Sequence, residues 1–226
     1  MSASTDAELE LVVQAVTRSG ARPFKDATGD WAASVEVALL DTVLSIGAAV
    51  DGAYGVGVLP RLRAFKAFRG PANMMRVVAT LGPFGLADFV PESHQIDRLM
   101  SSAGQLLDAG VQSAGDVDPT SVEQRTALVT TDGVPDVAWH YFLVNLGAKT
   151  PEVAQLKQSW LDTFVQRATA TPNMTTPHRD GLLQSAAEQL NAEHQRKSYG
   201  RMPLFTVAQL HQAIYRAEYA RATDQP

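Results

Sequence analysis

Cysteine is absent from all 226 residues. That excludes disulfides, thiolate zinc sites and cysteine-ligated iron–sulfur clusters. Long apolar runs are missing too. None reaches the roughly 20 residues of a membrane helix, so no membrane partner is expected. The N-terminal MSASTDAELELVV carries acids where an export signal would place basic residues before an apolar run, and the expected location is the cytoplasm. Excess positive charge is lacking as well. The chain holds 19 Lys and Arg against 24 Asp and Glu, a net −5. A protein that binds nucleic acid by overall attraction is usually basic, so any such contact here must come from a local basic face.

Several chemical motifs are also missing. The five histidines, His94, His140, His178, His194 and His211, are scattered, with no HExxH or dense ligand set, so no metal and no cofactor is expected. There is no GxxxxGK[ST] loop and no GxSxG elbow. GAYGVGV at 52–58 is glycine-rich, but no strand precedes it. Alternating strand patterns are absent beyond the short Gly55–Leu59, and no solenoid-length repeat occurs.

What is present is helical periodicity. Apolar residues recur at helical spacing over Asp6–Thr17, Trp31–Ile46, Leu59–Phe68, Pro71–Leu81, His94–Ala109, Val122–Val129, Ala138–Leu146, Val153–Ala168, Pro177–His194 and Thr206–Ala222. The expected fold is all-α, about ten helices with short links. At 45% hydrophobic, the chain is long enough for one sizeable core or two small lobes sharing a cleft. Ser93 is the expected cap of the fifth helix, and Thr120 or Ser121 of the sixth. Leu59–Phe68, LPRLRAFKAF, is followed by Arg69 and forms the most basic stretch, with Leu62, Phe65 and Phe68 expected to face inward. Arg61, Arg63 and Lys66 either form a solvated face or contact phosphates.

The stretch around which the rest is arranged is Thr130–Gly147, TTDGVPDVAWHYFLVNLG. A turn containing Gly133 and Pro135 feeds an apolar helix, with Asp132 or Thr131 as its expected cap and Gly147 as its stop. Val137, Tyr141 and Val144 lie along one face. A glycine turn before a helix N-terminus presents backbone N–H groups suited to an anion. Asp136 and His140 are spaced i, i+4 and can pair.

Two segments resemble the helix-hairpin-helix DNA glycosylase superfamily, the endonuclease III-like fold. Leu39–Asp51, LLDTVLSIGAAVD, is similar to an early helix of that family ending in a small-residue turn beside the DNA wedge. Leu128–Leu143, LVTTDGVPDVAWHYFL, is similar to its hairpin. Gly133 and Val134 match the first hairpin glycine and the apolar residue after it, and Ala138 matches a small residue of the helix. The C-terminal LHQAIYRAEY resembles the tail of bacterial members. In order and spacing the resemblance covers about Ala33–Val165.

The resemblance implies a single domain over residues 1–226, with two lobes around a cleft and a central hairpin at about 122–147. It implies duplex DNA as partner, held at a phosphate by Gly133, Val134 and the following N–H groups. Pro135 replaces the second hairpin glycine and removes one N–H donor. Val137 occupies the position of the lyase lysine, so no Schiff base forms there and the implied activity is monofunctional. In that activity a base flipped out of the duplex is excised by water at the sugar C1′. The carboxylate that assists is either Glu152 in KTPEV or Asp162 in LDTFV. Glu152 also suits a first-turn acid complementing the helix dipole, and Asp162 an exposed acid on an amphipathic helix. The second functional reading keeps the fold as a non-catalytic DNA-binding or protein-interaction module.

Overall fold

Every residue of Val35–Leu44 is buried, and so are seven of the nine residues of Val137–Asn145. A helix that is apolar on nearly all sides belongs inside a protein. These two segments form the middle of the computed structural model, which describes residues 3–19, 34–48, 57–70, 73–198 and 204–224. Among the described residues there are ten α-helices and no strand. They are α1 (Ala3–Arg18), α2 (Val35–Leu44), α3 (Leu59–Arg69), α4 (Arg76–Leu86), α5 (Ser93–Asp108), α6 (Val122–Val129), α7 (Val137–Asn145), α8 (Pro151–Thr169), α9 (Thr176–Ser198) and α10 (Val207–Thr223). One 3-10 turn, Ala114–Asp116, lies between α5 and α6. No helix among the described residues is long and apolar enough to cross a membrane.

One apolar core runs from Val12 and Val16 of α1 through α2 and α7 to Ile214 and Tyr219 of α10. Within it, the Tyr141 ring of α7 stacks on Tyr219 of α10, and the Tyr219 hydroxyl donates to the Thr42 carbonyl of α2 at 3.1 Å. Asn145 meets Gln212 at the other end of the same helix pair. Hence α7 and α10 run antiparallel, and the start of α7 lies towards the end of α10.

Helix ends follow local chemistry. Ser121 caps α6 by accepting from the Gln124 N–H, Thr150 caps α8 with Pro151 behind it, and Thr206 and Gln209 form a capping box on α10. Gly147, at φ +71, stops α7. Its N–H donates to Val144 and the Ala148 N–H to Leu143, the two bonds of a Schellman motif.

Some expectations are corrected. α5 starts at Ser93 with Glu92 at the cap position. α8 begins at Pro151, two residues before Val153, because the Thr-Pro pair starts the helix itself. The fourth helix begins at Arg76 and continues past Leu81, through a break at Gly82 (φ 62°, ψ −179°) that Pro83 restarts. Phe84, just beyond that break, is 93% exposed. In α3, Leu62 and Phe65 are buried as expected, but Phe68 is exposed, its ring lying 5.4 Å from Phe89. Arg69 turns inward, paired with Glu36 of α2 at 2.6 Å and bonded to Ser34 Oγ. Burial pushes the Glu36 carboxyl above its ordinary value and the Arg69 guanidinium below its own, each against the attraction of the other. Pro23, Gly29, Trp31, the glycine-rich residues 51–56, Pro71 and residues 199–203 lie outside the described residues.

Candidate functional site

The α6–α7 connection is built by short-range bonds. The Thr130 hydroxyl, at the end of α6, donates back to the Thr126 carbonyl at 2.8 Å. The Val134 N–H donates to the Thr131 carbonyl at 3.0 Å, closing a four-residue turn. Gly133 sits third in it at φ +71, the conformation a type II turn requires there. The Val134 side chain is buried, and its N–H is committed to the turn rather than directed at a ligand.

Neither Asp132 nor Thr131 caps α7. The cap position is Asp136, which makes no side-chain cap bond. The Thr131 hydroxyl is buried without a hydrogen-bond partner among the described residues. The Asp136 carboxylate instead receives Arg125 of α6, at 2.7 and 2.9 Å. This exposed pair bridges the two helices, and Asp136 forms no hydrogen bond with His140.

The turn also has an occupant from another helix. Arg98 of α5 donates from Nε to the Asp132 carbonyl at 3.2 Å. A Cβ added at Gly133 would lie 2.0 Å from Arg98 Nη2. The guanidinium therefore rests on the glycine. This places a cation where the turn's own N–H donors are depleted, by Pro135 and by the Val134 bond. The periodicity of the sequence does not single out Arg98. Its only signal is that α5, SHQIDRLMSSAGQLLD, carries no other Arg or Lys.

The two carboxylates have different surroundings. Glu152, second residue of α8, is exposed. Its own backbone N–H, then the Thr150 hydroxyl and His140, hold its carboxyl below the ordinary value. His140 of α7 is half-buried. Burial, with Arg125 adding, keeps its imidazole below its ordinary value, against the pull of Asp136 and Glu152. At neutral pH this corner thus holds an ionised carboxylate beside a neutral imidazole.

Asp162 is paired. It accepts from Arg179 Nη1 of α9 at 2.7 Å, and the Arg179 side chain is 1% exposed. The same guanidinium binds Asp180 at 2.7 and 2.9 Å and the Gln158 side chain. Glu152 and Asp162 lie about 15 Å apart along the axis of α8, so they do not form a dyad.

Of the basic candidates on α3, Arg61 bends back to the Gly57 carbonyl at 2.5 Å, while Arg63 and Lys66 are exposed. Among the described residues, no group of three or more His, Asp or Glu is arranged to hold a metal ion. Comparison of the chain with protein-family models, with curated proteins and with solved structures found no match.

Proposed function

We propose that this chain is a helical DNA-binding module that meets the duplex backbone at the α6–α7 turn. The observation that carries the reading is the Arg98 guanidinium lying on Gly133. A guanidinium hydrogen-bonded to a turn carbonyl keeps further N–H donors in a fixed fork suited to phosphate. It stands in for the donors lost to Pro135 and Val134. Phe84 offers an exposed apolar side chain on α4, the helix that packs against the Arg98 helix α5. α4 and α5 form an antiparallel pair, with the Met75 N–H on the Gln112 carbonyl at one end and residues 87–92 at the other. Exposed apolar side chains beside phosphate contacts are used as wedges between base steps.

The test is fluorescence anisotropy with a labelled duplex over a salt series. Arg98→Gln is expected to weaken binding for all sequences alike and to lower the salt slope by about one. Absence of binding at about 50 mM salt refutes the reading.

Base excision is the second reading, carried by Glu152, exposed in the first turn of α8. With Val137 in place of a lysine, such an enzyme would leave an abasic site without cutting the strand. Duplexes carrying modified bases, incubated with the protein and then treated with alkali, would show scission that Glu152→Gln abolishes. Binding without scission across the panel leaves the module reading alone.

A further inference from the structure

Three helices end side by side, and none of the turn residues described above lines the groove between them. α1, α8 and α10 each carry an arginine in their last turn: Arg18, Arg167 and Arg221. Taken singly, each complements the partial negative charge at its own helix C-terminus. Their convergence needs a further reason, because all three line one groove of about 290 Å³.

The arginines are held differently. Arg167 makes a bidentate pair with Glu218 and lies over the Phe164 ring, 5.8 Å from its centroid. That pair uses two of its five N–H donors. Arg18 is exposed and donates to the Gln14 side chain at 3.3 Å. Arg221 is exposed at the end of α10. With Glu218 counted, the groove carries +2 in a chain of net −5. The helix C-termini offset much of that field, so an anion in the groove is held by direct hydrogen bonds from the guanidinium groups. Guanidinium groups from three helices match the several oxygens of a tetrahedral anion better than the two of a carboxylate. Leu11, Ala15, Phe164 and Ala168 add apolar surface to the lining, beside the polar Gln14 and Ser19. The volume is at the low end of small-ligand sites, about 300 Å³, and leaves room for more than the anion.

We propose that this groove binds a phosphate monoester bearing a compact apolar body. Two sources share that chemistry: a small phosphorylated metabolite and the 5′-phosphate end of a DNA strand. The proposal does not rest on the α6–α7 turn contacting DNA.

The experiment is calorimetric titration of the full chain with phenyl phosphate, inorganic phosphate and phenol, and with 5′-phosphorylated against 5′-hydroxyl oligonucleotides. Phenyl phosphate is expected to bind more tightly than inorganic phosphate, and phenol not at all. Arg18→Gln and Arg221→Gln, both at exposed positions, should each weaken phenyl phosphate about tenfold with an unchanged melting temperature. If one of them lowers the melting temperature, the other decides. A preference for the 5′-phosphorylated strand assigns the strand end, and its absence alongside phenyl phosphate binding assigns the small ligand. Binding no tighter than that of sulfate at equal ionic strength, or unchanged in the Arg18→Gln/Arg221→Gln double variant, overturns the proposal.

Discussion

Tyr141 and Tyr219 stack with ring centroids 4.0 Å apart and planes 8° from parallel. This contact joins the two helices whose register brings the start of α7 towards the end of α10. The Tyr219 hydroxyl then reaches the Thr42 carbonyl and ties α2 to the same point. Three core helices therefore meet at one aromatic pair.

Removing the hydroxyl or the ring separates the two contributions. Tyr219→Phe keeps the stack and leaves the Thr42 carbonyl without this donor, at a cost of about 1 to 2 kcal/mol. Tyr219→Ala also opens a cavity, and about 3 to 5 kcal/mol is expected. Urea denaturation at pH 7 measures both. Equal effects of the two substitutions would show that the ring packing contributes nothing beyond the hydrogen bond.

The buried tyrosines give the chain an alkaline limit. Burial pushes the Tyr215 hydroxyl up to about 12 and the Tyr219 hydroxyl well above its ordinary value. Above the ordinary tyrosine value near 10, the unfolded chain releases protons that the folded chain keeps. The unfolded state then binds fewer protons, and stability falls as pH rises from about 10 towards 12. Denaturation series at pH 8 to 12 should show this decline, with a shallower slope in Tyr219→Phe. Stability unchanged between pH 10 and 12 would contradict it.

Glu36 and Arg69 are a buried pair in which either partner alone is a liability. Arg69→Met leaves the Glu36 carboxylate without its counter-charge, and a loss of about 3 to 5 kcal/mol is expected. The double variant Glu36→Gln/Arg69→Met should recover part of that loss. Additive losses in the double variant, read from denaturant midpoints, would show that the pair is not coupled.

At Gly133, Ala adds backbone strain at positive φ and displaces Arg98 from the turn. The strain costs about 1 kcal/mol. The displaced group is the far end of a flexible side chain, so the clash itself is relieved at little further cost. Gly133→Ala is therefore expected to fold, and to bind duplex DNA no better than Arg98→Gln does. Wild-type affinity in Gly133→Ala would separate Arg98 from DNA contact.

The two carboxylates of α8 should differ in what they do for folding. Glu152→Gln, on the surface, is expected to leave the melting temperature unchanged. Asp162→Asn removes one of two carboxylates from the buried Arg179. Because Asp162 is more than a third exposed and Asp180 remains, about 1 to 2 kcal/mol is expected. Thermal melts distinguish them. A larger loss in Glu152→Gln would give that residue a structural role the geometry does not show.

The sequence by itself determined the helical class, most helix positions and several of their ends. Ser121, Thr206 and Gly147 act through bonds within five residues, and such bonds are written in local order. The basic character of α3 and the apolar character of α7 were equally plain. The tertiary structure alone decided what those residues face. It turned Arg69 into the core while leaving Phe68 outside, committed Asp162 to Arg179, and laid Arg98 on Gly133. It also brought Arg18, Arg167 and Arg221 to one groove. Each of these pairings joins residues from separate helices, and periodicity along a chain fixes a helix face without naming the neighbour it meets.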